Sequence, residues 1–356
     1  MKSIHQLVAG FSKGDAISNE ALVMRSIFRS WGFLSEIYAE TRRVLPELRK
    51  DARDLRNLAN DLKPDDIALL HLSIGADAND LFPELPCRKV ILYHNITPPQ
   101  YFRGIQEEIA HLLARGRDQL TRLAGVAEVV MADSPYNAEE LKTLGYGDVS
   151  VLPLVLDLEK VRARPDRRAM AAWSDGMKNI LFVGRCVPNK RIEDVITAFH
   201  YYQRAVEPDA RLILAGSYSG VEAYQAYQLT LIRELKTDNV VFTGSITQAE
   251  LNACYRSAHV FLCMSEHEGF CIPIIEAMAL DVPVLAYAAA AVPGTMDGAG
   301  VLFHEKKWEA IAEMMHQLAE DTLLRRRVLA GQQQRIQRYE TRRLDQELRQ
   351  RLQSLL

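Results

Sequence analysis

After the apolar run Val260–Cys263 the chain reads Ser265-Glu266-His267-Glu268-Gly269-Phe270-Cys271-Ile272-Pro273-Ile274-Ile275-Glu276-Ala277-Met278-Ala279. An apolar strand that ends in a polar, glycine-containing turn and then enters a helix is typical of a parallel sheet flanked by helices. Pro273 fits the first turn of that helix, where proline is tolerated. Such a turn points free backbone N–H groups and the positive helix end toward one edge of the sheet, an arrangement that suits a phosphate.

Glu276 stands one turn into this helix, within the otherwise apolar stretch Ile272–Leu280. An unpaired carboxylate would be costly there, and a carboxylate at this place could accept hydrogen bonds from paired hydroxyls such as those of a ribose. The alternative is that Glu268 and Glu276 are solvated surface acids, as isolated glutamates generally are. The apolar surroundings favour the functional interpretation.

The same alternation of short apolar runs and helical patterns fills the whole chain. In the first half the predicted strands are Ile4–Val8, Leu34–Tyr38, Ile67–Leu72, Val90–Tyr93, Val129–Met131 and Val149–Leu152. In the second half they are Ile180–Val183, Leu212–Leu214, Val240–Thr243, Val260–Cys263, Val284–Ala286 and Val301–Phe303. The pattern predicts an α/β protein with two Rossmann-like, doubly wound parallel-sheet domains and a ligand cleft at the carboxyl ends of their strands.

A chain of 356 residues is long enough for two such domains. The first is expected over residues 1–156 and the second over 179–335. Residues 157–178 are charged and lack an apolar period, which indicates a linker. Residues 336–356 are expected to form a C-terminal helix that packs back on the first domain.

Composition excludes several classes of protein. The net charge is −3, so nothing global indicates a nucleic-acid partner. The five cysteines are odd in number and contain no C-x-x-C pair, which fits a reducing compartment better than zinc or disulfides. No secretory signal or membrane span is visible, and a cytoplasmic location is expected.

A second strand-turn-helix motif reads Phe182-Val183-Gly184-Arg185-Cys186-Val187-Pro188-Asn189-Lys190. Two cations at the carboxyl end of the second domain's first strand suit a diphosphate, whose negative charge grows as a leaving group departs. The alternative is that Arg185 and Lys190 are solvated in a surface loop.

Four features of the first half are weaker. Loop 9–16, between the first strand and the first helix, contains Gly14 and Asp15 but lacks G-x-G-x-x-G, which counts against a dinucleotide cofactor. His94 follows the strand Val90–Tyr93 and is either a structural residue or a donor to a sugar hydroxyl. His71 is expected to be a core histidine, and Ser134 to cap a helix.

The motif that starts at Glu268-Gly269-Phe270 and ends at Glu276-Ala277-Met278 resembles the Glu-x7-Glu motif of retaining family 4 glycosyltransferases, which have the GT-B fold. The resemblance implies that the amides of Gly269, Phe270 and Cys271 meet the donor, and that Glu276 binds the nucleotide ribose. Cys271 departs from the family, which often has a second glycine there.

The same resemblance implies roles for the remaining site residues. Arg185 and Lys190 would be the diphosphate pair, following Gly184 at the end of a Phe-Val-Gly strand. His94 would contact the transferred sugar, and Gly14 and Asp15 would lie near the donor phosphate and the acceptor. Together with Glu268, these residues complete the predicted site.

The predicted reaction is hexose transfer from a nucleotide-diphosphate sugar to a glycan or lipid-linked glycan, with retention, in cell-surface polysaccharide synthesis. GDP-mannose is the favoured donor and a UDP-sugar is next. No Asp-x-Asp pair occurs in the sequence, so neither a metal nor another cofactor is expected. The alternatives are a GT-B nucleotide-sugar epimerase or phosphorylase, and a non-catalytic two-domain sugar-binding protein.

The segment Leu323–Leu356 is rich in arginine. One interpretation is a solvated helix face that packs on the first domain. The other is peripheral contact with anionic lipid at the inner face of a membrane.

Overall fold

The computed structural model describes residues 2–12 and 14–356. Met1 and Lys13 lie outside the described residues, and Lys13 belongs to the predicted loop 9–16. The chain divides into two compact units. Unit 1 contains residues up to 103, 107–155 and 343–356, and unit 2 contains 104–106 and 156–342.

In the described part of unit 1, a seven-stranded parallel sheet has the strand order β3-β2-β1-β4-β5-β6-β7. The strands are β1 (Ile4–Val8), β2 (Ile37–Ala39), β3 (Arg53–Asp54), β4 (Ile67–Leu72), β5 (Arg88–Tyr93), β6 (Val129–Ala132) and β7 (Val149–Val151). The helices are α1 (Ala16–Ser30), α2 (Leu58–Asp61), α3 (Asp77–Leu81), α4 (Glu107–Arg122), α5 (Pro135–Thr143) and, from the end of the chain, α15 (Leu344–Leu352).

Unit 2 contains a six-stranded sheet of order β10-β9-β8-β11-β12-β13, again parallel. Its strands are β8 (Lys178–Val183), β9 (Ala210–Ala215), β10 (Val240–Gly244), β11 (Val260–Cys263), β12 (Val284–Tyr287) and β13 (Val301–Phe303). Its helices are α6 (Leu158–Arg162), α7 (Arg167–Trp173), α8 (Ile192–Ala205), α9 (Glu222–Leu235), α10 (Gln248–Ser257), α11 (Ile272–Ala279), α12 (Val292–Met296), α13 (Trp308–Glu320) and α14 (Thr322–Glu340).

The strands form because their apolar runs are buried on both faces, as parallel sheets require. All six residues of β4 are buried, and so are all six of β9. The predicted fold class, two Rossmann-like parallel-sheet domains, is confirmed. In each sheet the strand order reverses beside the first strand, between β1 and β4 in unit 1 and between β8 and β11 in unit 2. Ligands bind outside the carboxyl ends of the strands at such switch points.

The last helix, α15, belongs to unit 1. Its Leu348 and Leu352 are fully buried in one apolar cluster with Ile4, Phe28 and Leu69. Unit 2 ends at residue 342, after α14, and the C-terminal segment of unit 1 begins at residue 343. The sequence analysis expected this segment to begin at residue 336. No helix in the described ranges combines the length and the apolar character that crossing a membrane requires.

Residues 157–178, expected as a linker, contain the helices α6 and α7 and belong to unit 2. Asp157 caps α6 by accepting a hydrogen bond from the Lys160 N–H, and Asp166 caps α7 by accepting from the Ala169 N–H. Such caps supply one partner for the free N–H groups of a helix start. The high charge of this stretch therefore lies on short capped helices.

Candidate functional site

The switch point of unit 2 brings together the two motifs that the sequence indicated. The loop after β8 carries Arg185 and Lys190, and the loop after the neighbouring strand β11 carries Glu268. Lys190 Nζ forms an ion pair with Glu268 Oε1, so residues 78 positions apart in sequence meet here. The side chains are 19% and 7% exposed, respectively.

The partial burial of this ion pair affects the pKa of Lys190. Burial by itself lowers the pKa of Lys190, but the charge of Glu268 outweighs burial and raises it. Asn189 joins the two loops through two hydrogen bonds. Its side-chain amide donates to the His267 backbone carbonyl at 2.9 Å, and its backbone carbonyl accepts from the Glu266 N–H at 3.0 Å. Lys190 therefore has a defined position and a stable positive charge.

Arg185 differs from Lys190 in its surroundings. Its side chain is exposed, and within the described residues no hydrogen bond or ion pair holds it. The turn before it is shaped by glycine, since a Cβ at Gly216 would lie 1.8 Å from the Gly184 carbonyl oxygen. This close approach seats the loop after β8 against the loop after β9 and leaves the guanidinium free to meet a ligand.

The turn into α11 has an unusual backbone conformation. Cys271, the residue before the first helical position, has φ +72° in the left-handed region. A residue with a Cβ pays about 1–2 kcal/mol there, whereas glycine pays none. This explains why a glycine would suit this position. Gly269 lies in the same turn, and the Phe270 carbonyl, just before the helix, accepts a hydrogen bond from the Thr295 hydroxyl.

Glu276 accepts a hydrogen bond from a residue that the sequence analysis did not single out. The fully buried Tyr255, on α10, donates its hydroxyl to Glu276 Oε2 at 2.8 Å. Within the described part of the chain, Oε1 has no hydrogen-bond partner. Burial raises the pKa of Glu276, against the opposing effects of Tyr255 and Lys160. One carboxylate oxygen is thus anchored, and the other remains available to a ligand.

In unit 1, His94 follows β5, the strand that pairs with β4. The side chain is only 2% exposed. Its Nε2 lies 2.9 Å from His71 Nδ1 and 3.5 Å from Glu20 Oε2, and its Nδ1 lies 3.6 Å from Asp133 Oδ2. The two ring nitrogens are therefore turned toward buried groups. The predicted core role of His71 is accurate in position, but this residue also contacts His94 directly.

Gly14 and Asp15 lie at the start of α1. Asp15 caps the helix, because its carboxylate accepts from the N–H and the hydroxyl of Ser18 at 2.8 and 2.7 Å. Gly14 has φ +78° with open space where a Cβ would be. Ser134 caps α5 as predicted, accepting from the Asn137 N–H at 3.2 Å. A ligand role for Gly14 and Asp15 stays a prediction.

Two groups of side chains bring three potential metal ligands within 4.8 Å of one another: Glu20, His71 and His94 in unit 1, and Cys263, Glu268 and Cys271 in unit 2. In unit 1 the two imidazoles already lie at hydrogen-bond distance. In unit 2 the ammonium of Lys190 forms an ion pair with the carboxylate of Glu268 and would repel a metal cation.

Of the predicted site residues, the structure gathers Gly184, Arg185, Lys190, Glu268, Gly269, Phe270, Cys271 and Glu276 in unit 2, and His94, Gly14 and Asp15 in unit 1. Sequence reasoning missed Tyr255 and Glu20. Neither carries a local signal: Tyr255 stands in an ordinary helical pattern, and Glu20 reads as a surface acid of α1.

Comparison with known proteins finds sequence relatives for the second half of the chain. Residues 164–335 match the family described as "Glycosyl transferases group 1". The GDP-mannose-dependent alpha-mannosyltransferase of Mycolicibacterium smegmatis is 37% identical over 34% of this chain and 28% of its own length. The GDP-mannose:cellobiosyl-diphosphopolyprenol alpha-mannosyltransferase of Xanthomonas campestris is 31% identical over 56% of this chain and 51% of its own. The chain thus matches about half or less of the length of these curated relatives.

Solved structures match along nearly the whole chain. HepE of Anabaena in complex with UDP-glucose superposes with a TM-score of 0.76 at 17% identity, covering 99% of this chain and 100% of that one. Sucrose-phosphate synthase of Thermosynechococcus elongatus gives 0.72 at 19% identity, covering 100% and 99%. At these identities the likeness concerns the fold. It shows that the chain has the GT-B fold, as the resemblance to family 4 predicted, and the sequence match to the glycosyl transferases group 1 family covers residues 164–335.

Proposed function

We propose that this protein transfers a hexose from a nucleotide-diphosphate sugar to an acceptor hydroxyl, with retention of configuration at the anomeric carbon. The observation that carries the proposal is the meeting of Lys190 and Glu268 across the switch point of unit 2, with Arg185 on the same loop as Lys190. A carboxylate-bound ammonium and an unbound guanidinium at the carboxyl edge of a parallel sheet form an anion site.

The diphosphate would bind between these cations and the start of α11. Lys190 is positioned by Glu268, whereas Arg185 is free to move onto the phosphates. As the glycosidic bond breaks, negative charge accumulates on the leaving diphosphate, and preorganised cations stabilise that charge most strongly in the transition state. On this account the donor needs no bound metal ion and no other cofactor.

The nucleoside would bind along α11. Glu276 keeps one carboxylate oxygen unbonded, while Tyr255 fixes the other. A carboxylate with one free oxygen can accept from the two adjacent hydroxyls of a ribose. This assigns the ribose to Glu276 and leaves the amides of the turn Gly269–Cys271 to the phosphates.

Retention requires either a covalent nucleophile or attack from the leaving-group side. Glu268 already accepts from Lys190, so it serves as the partner of a cation and is poorly suited to form a bond to the sugar. We favour front-face attack, in which the leaving phosphate oxygen takes the acceptor proton and the protein contributes positioning and electrostatics.

The donor we propose is GDP-mannose, because two relatives with matched segments are named as using it. A UDP-hexose is the second candidate. The acceptor class we propose is a glycan or lipid-linked glycan of a cell-surface polysaccharide, since one relative is named for cellobiosyl-diphosphopolyprenol and another, from Escherichia coli, for an O-antigen chain.

A lipid-linked acceptor would bring the protein to the cytoplasmic face of a membrane. Several C-terminal arginines form hydrogen bonds with backbone carbonyls of their own unit. Arg325 donates to the His259 carbonyl, Arg335 to the Thr295 carbonyl, and Arg351 to the Val151 carbonyl. Peripheral contact would therefore depend on exposed arginines such as Arg327 and Arg343. Flotation with anionic vesicles that is unchanged in Arg327→Ala and Arg343→Ala would exclude that contact.

A panel of nucleotide sugars tests the proposal. At a donor concentration about 100 times Kd, binding adds about 2.7 kcal/mol of stability and raises the melting temperature. We expect GDP-mannose to stabilise the wild type and to stabilise Glu276→Ala much less. A panel in which no nucleotide sugar shifts the melting temperature would contradict the proposal.

A further inference from the structure

Three loops at the carboxyl edge of the unit 2 sheet are joined by ion pairs. They follow β8, β11 and β13, and they carry Arg191, Glu266 and Lys306, respectively. The first two of these loops also carry the pair Lys190 and Glu268. Arg191 comes directly after Lys190 in the chain, and Glu266 lies two residues before Glu268. The ion pairs therefore connect the same segments of backbone that carry the proposed diphosphate site.

Arg191 has a backbone conformation that is unfavourable for its residue type. It has φ +53° and ψ +54°, in the left-handed region, and it stands immediately before the first residue of α8. A side chain with a Cβ is strained in that region, whereas glycine is not. The positive end of the helix dipole also repels a cation at the start of a helix. Both effects oppose an arginine here, so other contacts must hold it.

Three carboxylates hold the guanidinium of Arg191. On α8 itself, Glu193 Oε1 lies 3.0 Å from Nη1 and Asp194 Oδ2 lies 3.0 Å from Nε. From the loop after β11, Glu266 Oε1 lies 3.3 Å from Nε. Glu193 is fixed in turn, because Tyr224 on α9 donates its hydroxyl to Oε2. A strained residue persists where several contacts determine its conformation, and such residues cluster at functional sites.

Lys306 reaches two of these carboxylates from the third loop. Its Nζ lies 2.5 Å from Asp194 Oδ2 and 2.8 Å from Glu266 Oε1. The same Nζ lies 4.7 Å from the centre of the Tyr287 ring, at the end of β12, and the face of such a ring attracts a cation. The side chains of Lys306 and Asp194 are 17% and 9% exposed. Ion pairs shielded from water are stronger than exposed ones, so Lys306 is a bridge between α8 and the loop after β11.

This bridge lies beside a hydrogen bond that joins the same two loops. The Glu266 N–H donates to the Asn189 carbonyl at 3.0 Å. Glu266 is thus held at its side chain by Arg191 and Lys306, and at its backbone by Asn189. Because Lys190 stands between Asn189 and Arg191, its backbone is fixed on both sides. The position of the Lys190 ammonium therefore depends on the junction of the two loops.

We propose that Arg191 and Lys306 are positioning residues of the donor site, which hold the loop of Lys190 against the loop of Glu268. Both act through the carboxylates that they bind and not through contact with the donor. Their effect on catalysis rests on the function proposed above, whereas their effect on the junction does not. Loss of either cation would let the loops separate and displace the Lys190 ammonium, and a displacement of about 1 Å can cost about a hundredfold in rate.

Amide hydrogen exchange of the ligand-free, full-length protein, followed by NMR, tests the junction without a donor. The reporter is the Glu266 N–H, and the reference is the Leu212 N–H, which donates to the Asn239 carbonyl in the same unit. Lys306→Met should speed exchange at Glu266 about tenfold or more and leave Leu212 unchanged. Lys307→Met, at an adjacent lysine that is 73% exposed, is the matched control and should change neither. Equal acceleration at Glu266 and Leu212, or none at either, would overturn the proposal.

Arg191→Gly and Arg191→Ala separate the backbone of this residue from its guanidinium. Glycine adopts φ +53° without strain, so an arginine needed only for the turn could be replaced by glycine without effect. We expect Arg191→Gly to fold at least as well as Arg191→Ala, and yet to speed exchange at the Glu266 N–H and to lower kcat. Wild-type exchange and kcat in Arg191→Gly would overturn the role of the guanidinium. If Lys306→Met does not fold, Arg191→Gly carries the same exchange test.

Turnover gives the readout of positioning. Lys306→Met should lower kcat at saturating donor by about tenfold or more with little change in KM, and Lys306→Arg, which keeps the charge, should recover most of the loss. In the Lys190→Met background, Lys306→Met should lower kcat no further, because the cation that it positions is gone. An equal further fall in that background, or an effect on KM alone, would overturn the proposal. Because hydrogen exchange uses no donor, failure of the donor panel is distinguishable from failure of the junction.

Discussion

Lys190 and Glu268 form an ion pair across the switch point between β8 and β11. The pair explains how a lysine on one loop is held in place without a ligand. In the proposed mechanism Lys190 also has an electrostatic role toward the diphosphate, and a single substitution would remove both roles at once. The first prediction separates them.

Lys190→Met should lower the free energy of unfolding by about 3 kcal/mol, because Glu268 is left buried and unpaired. It should also lower kcat at saturating donor by about a hundredfold or more, since a preorganised cation is lost. The double variant Lys190→Met/Glu268→Gln removes both charges. We expect it to recover most of the stability, measured by urea unfolding, but none of the rate. Recovery of both would show that Lys190 acts only through the fold.

Arg185→Ala should lower the rate as Lys190→Met does, but without the loss of stability. The side chain is exposed and unbonded within the described residues, so the stability change should stay within about 0.5 kcal/mol. The rate at saturating donor should fall by about a hundredfold, because Arg185 is expected to bind the phosphates more tightly in the transition state than in the ground state. A variant that changes KM alone would place Arg185 in ground-state binding only.

Nucleotide binding should depend on pH through Glu276. The carboxylate is the form that accepts from ribose hydroxyls, and burial raises its pKa, so GDP affinity should fall as the pH drops through that raised pKa. Tyr255→Phe removes a hydrogen bond that lowers the pKa, so the loss should begin at a higher pH than in the wild type.

Calorimetry with GDP between pH 5 and 8 measures this shift. Glu276→Ala should lose about 3 kcal/mol of binding, as expected for two charge-assisted hydrogen bonds of roughly 1.5 kcal/mol each. Tyr227→Phe, at a half-exposed tyrosine of the same unit, is the matched control. Identical pH curves for the wild type and Tyr255→Phe would show that Tyr255 does not position Glu276.

Activity should survive chelation. If Arg185, Lys190 and the start of α11 neutralise the diphosphate, then EDTA should leave kcat unchanged within about twofold, since no step in the proposed mechanism uses a metal ion. Loss of turnover in EDTA that magnesium or manganese restores would assign the charge stabilisation to a cation.

Much of this architecture was readable from the sequence because its signals are local. Apolar runs predicted most strands, and the turn Gly269–Cys271 predicted the start of α11 within a residue. The short edge strand Arg53–Asp54 was missed, since two polar residues carry no apolar pattern. The capped helices after Asp157 and Asp166 were missed as well, although aspartate at each start is a helix signal.

The contacts within the sites could not be predicted in the same way. The pairing of Lys190 with Glu268 depends on β8 and β11 being neighbours, which is a property of strand order and not of either motif. The hydrogen bond between Tyr255 and Glu276 likewise joins two separate helices, α10 and α11, and neither helix pattern predicts it. The two histidines and Glu20 meet only because β1, β4 and β5 lie side by side with α1 against them. The local sequence pattern predicts which residues lie at the end of each strand. The order of the strands in the sheet determines which of those residues are in contact.

The central claim, retaining transfer from a nucleotide-diphosphate sugar, is tested most directly by proton NMR of the sugar first released from GDP-α-mannose. Slow hydrolysis in the absence of an acceptor makes the measurement independent of acceptor identity, with Lys190→Met as the control for background cleavage. We predict that α-mannose appears first and equilibrates later with the β-anomer. Initial release of β-mannose, or failure to cleave any nucleotide sugar of the panel, would contradict this account.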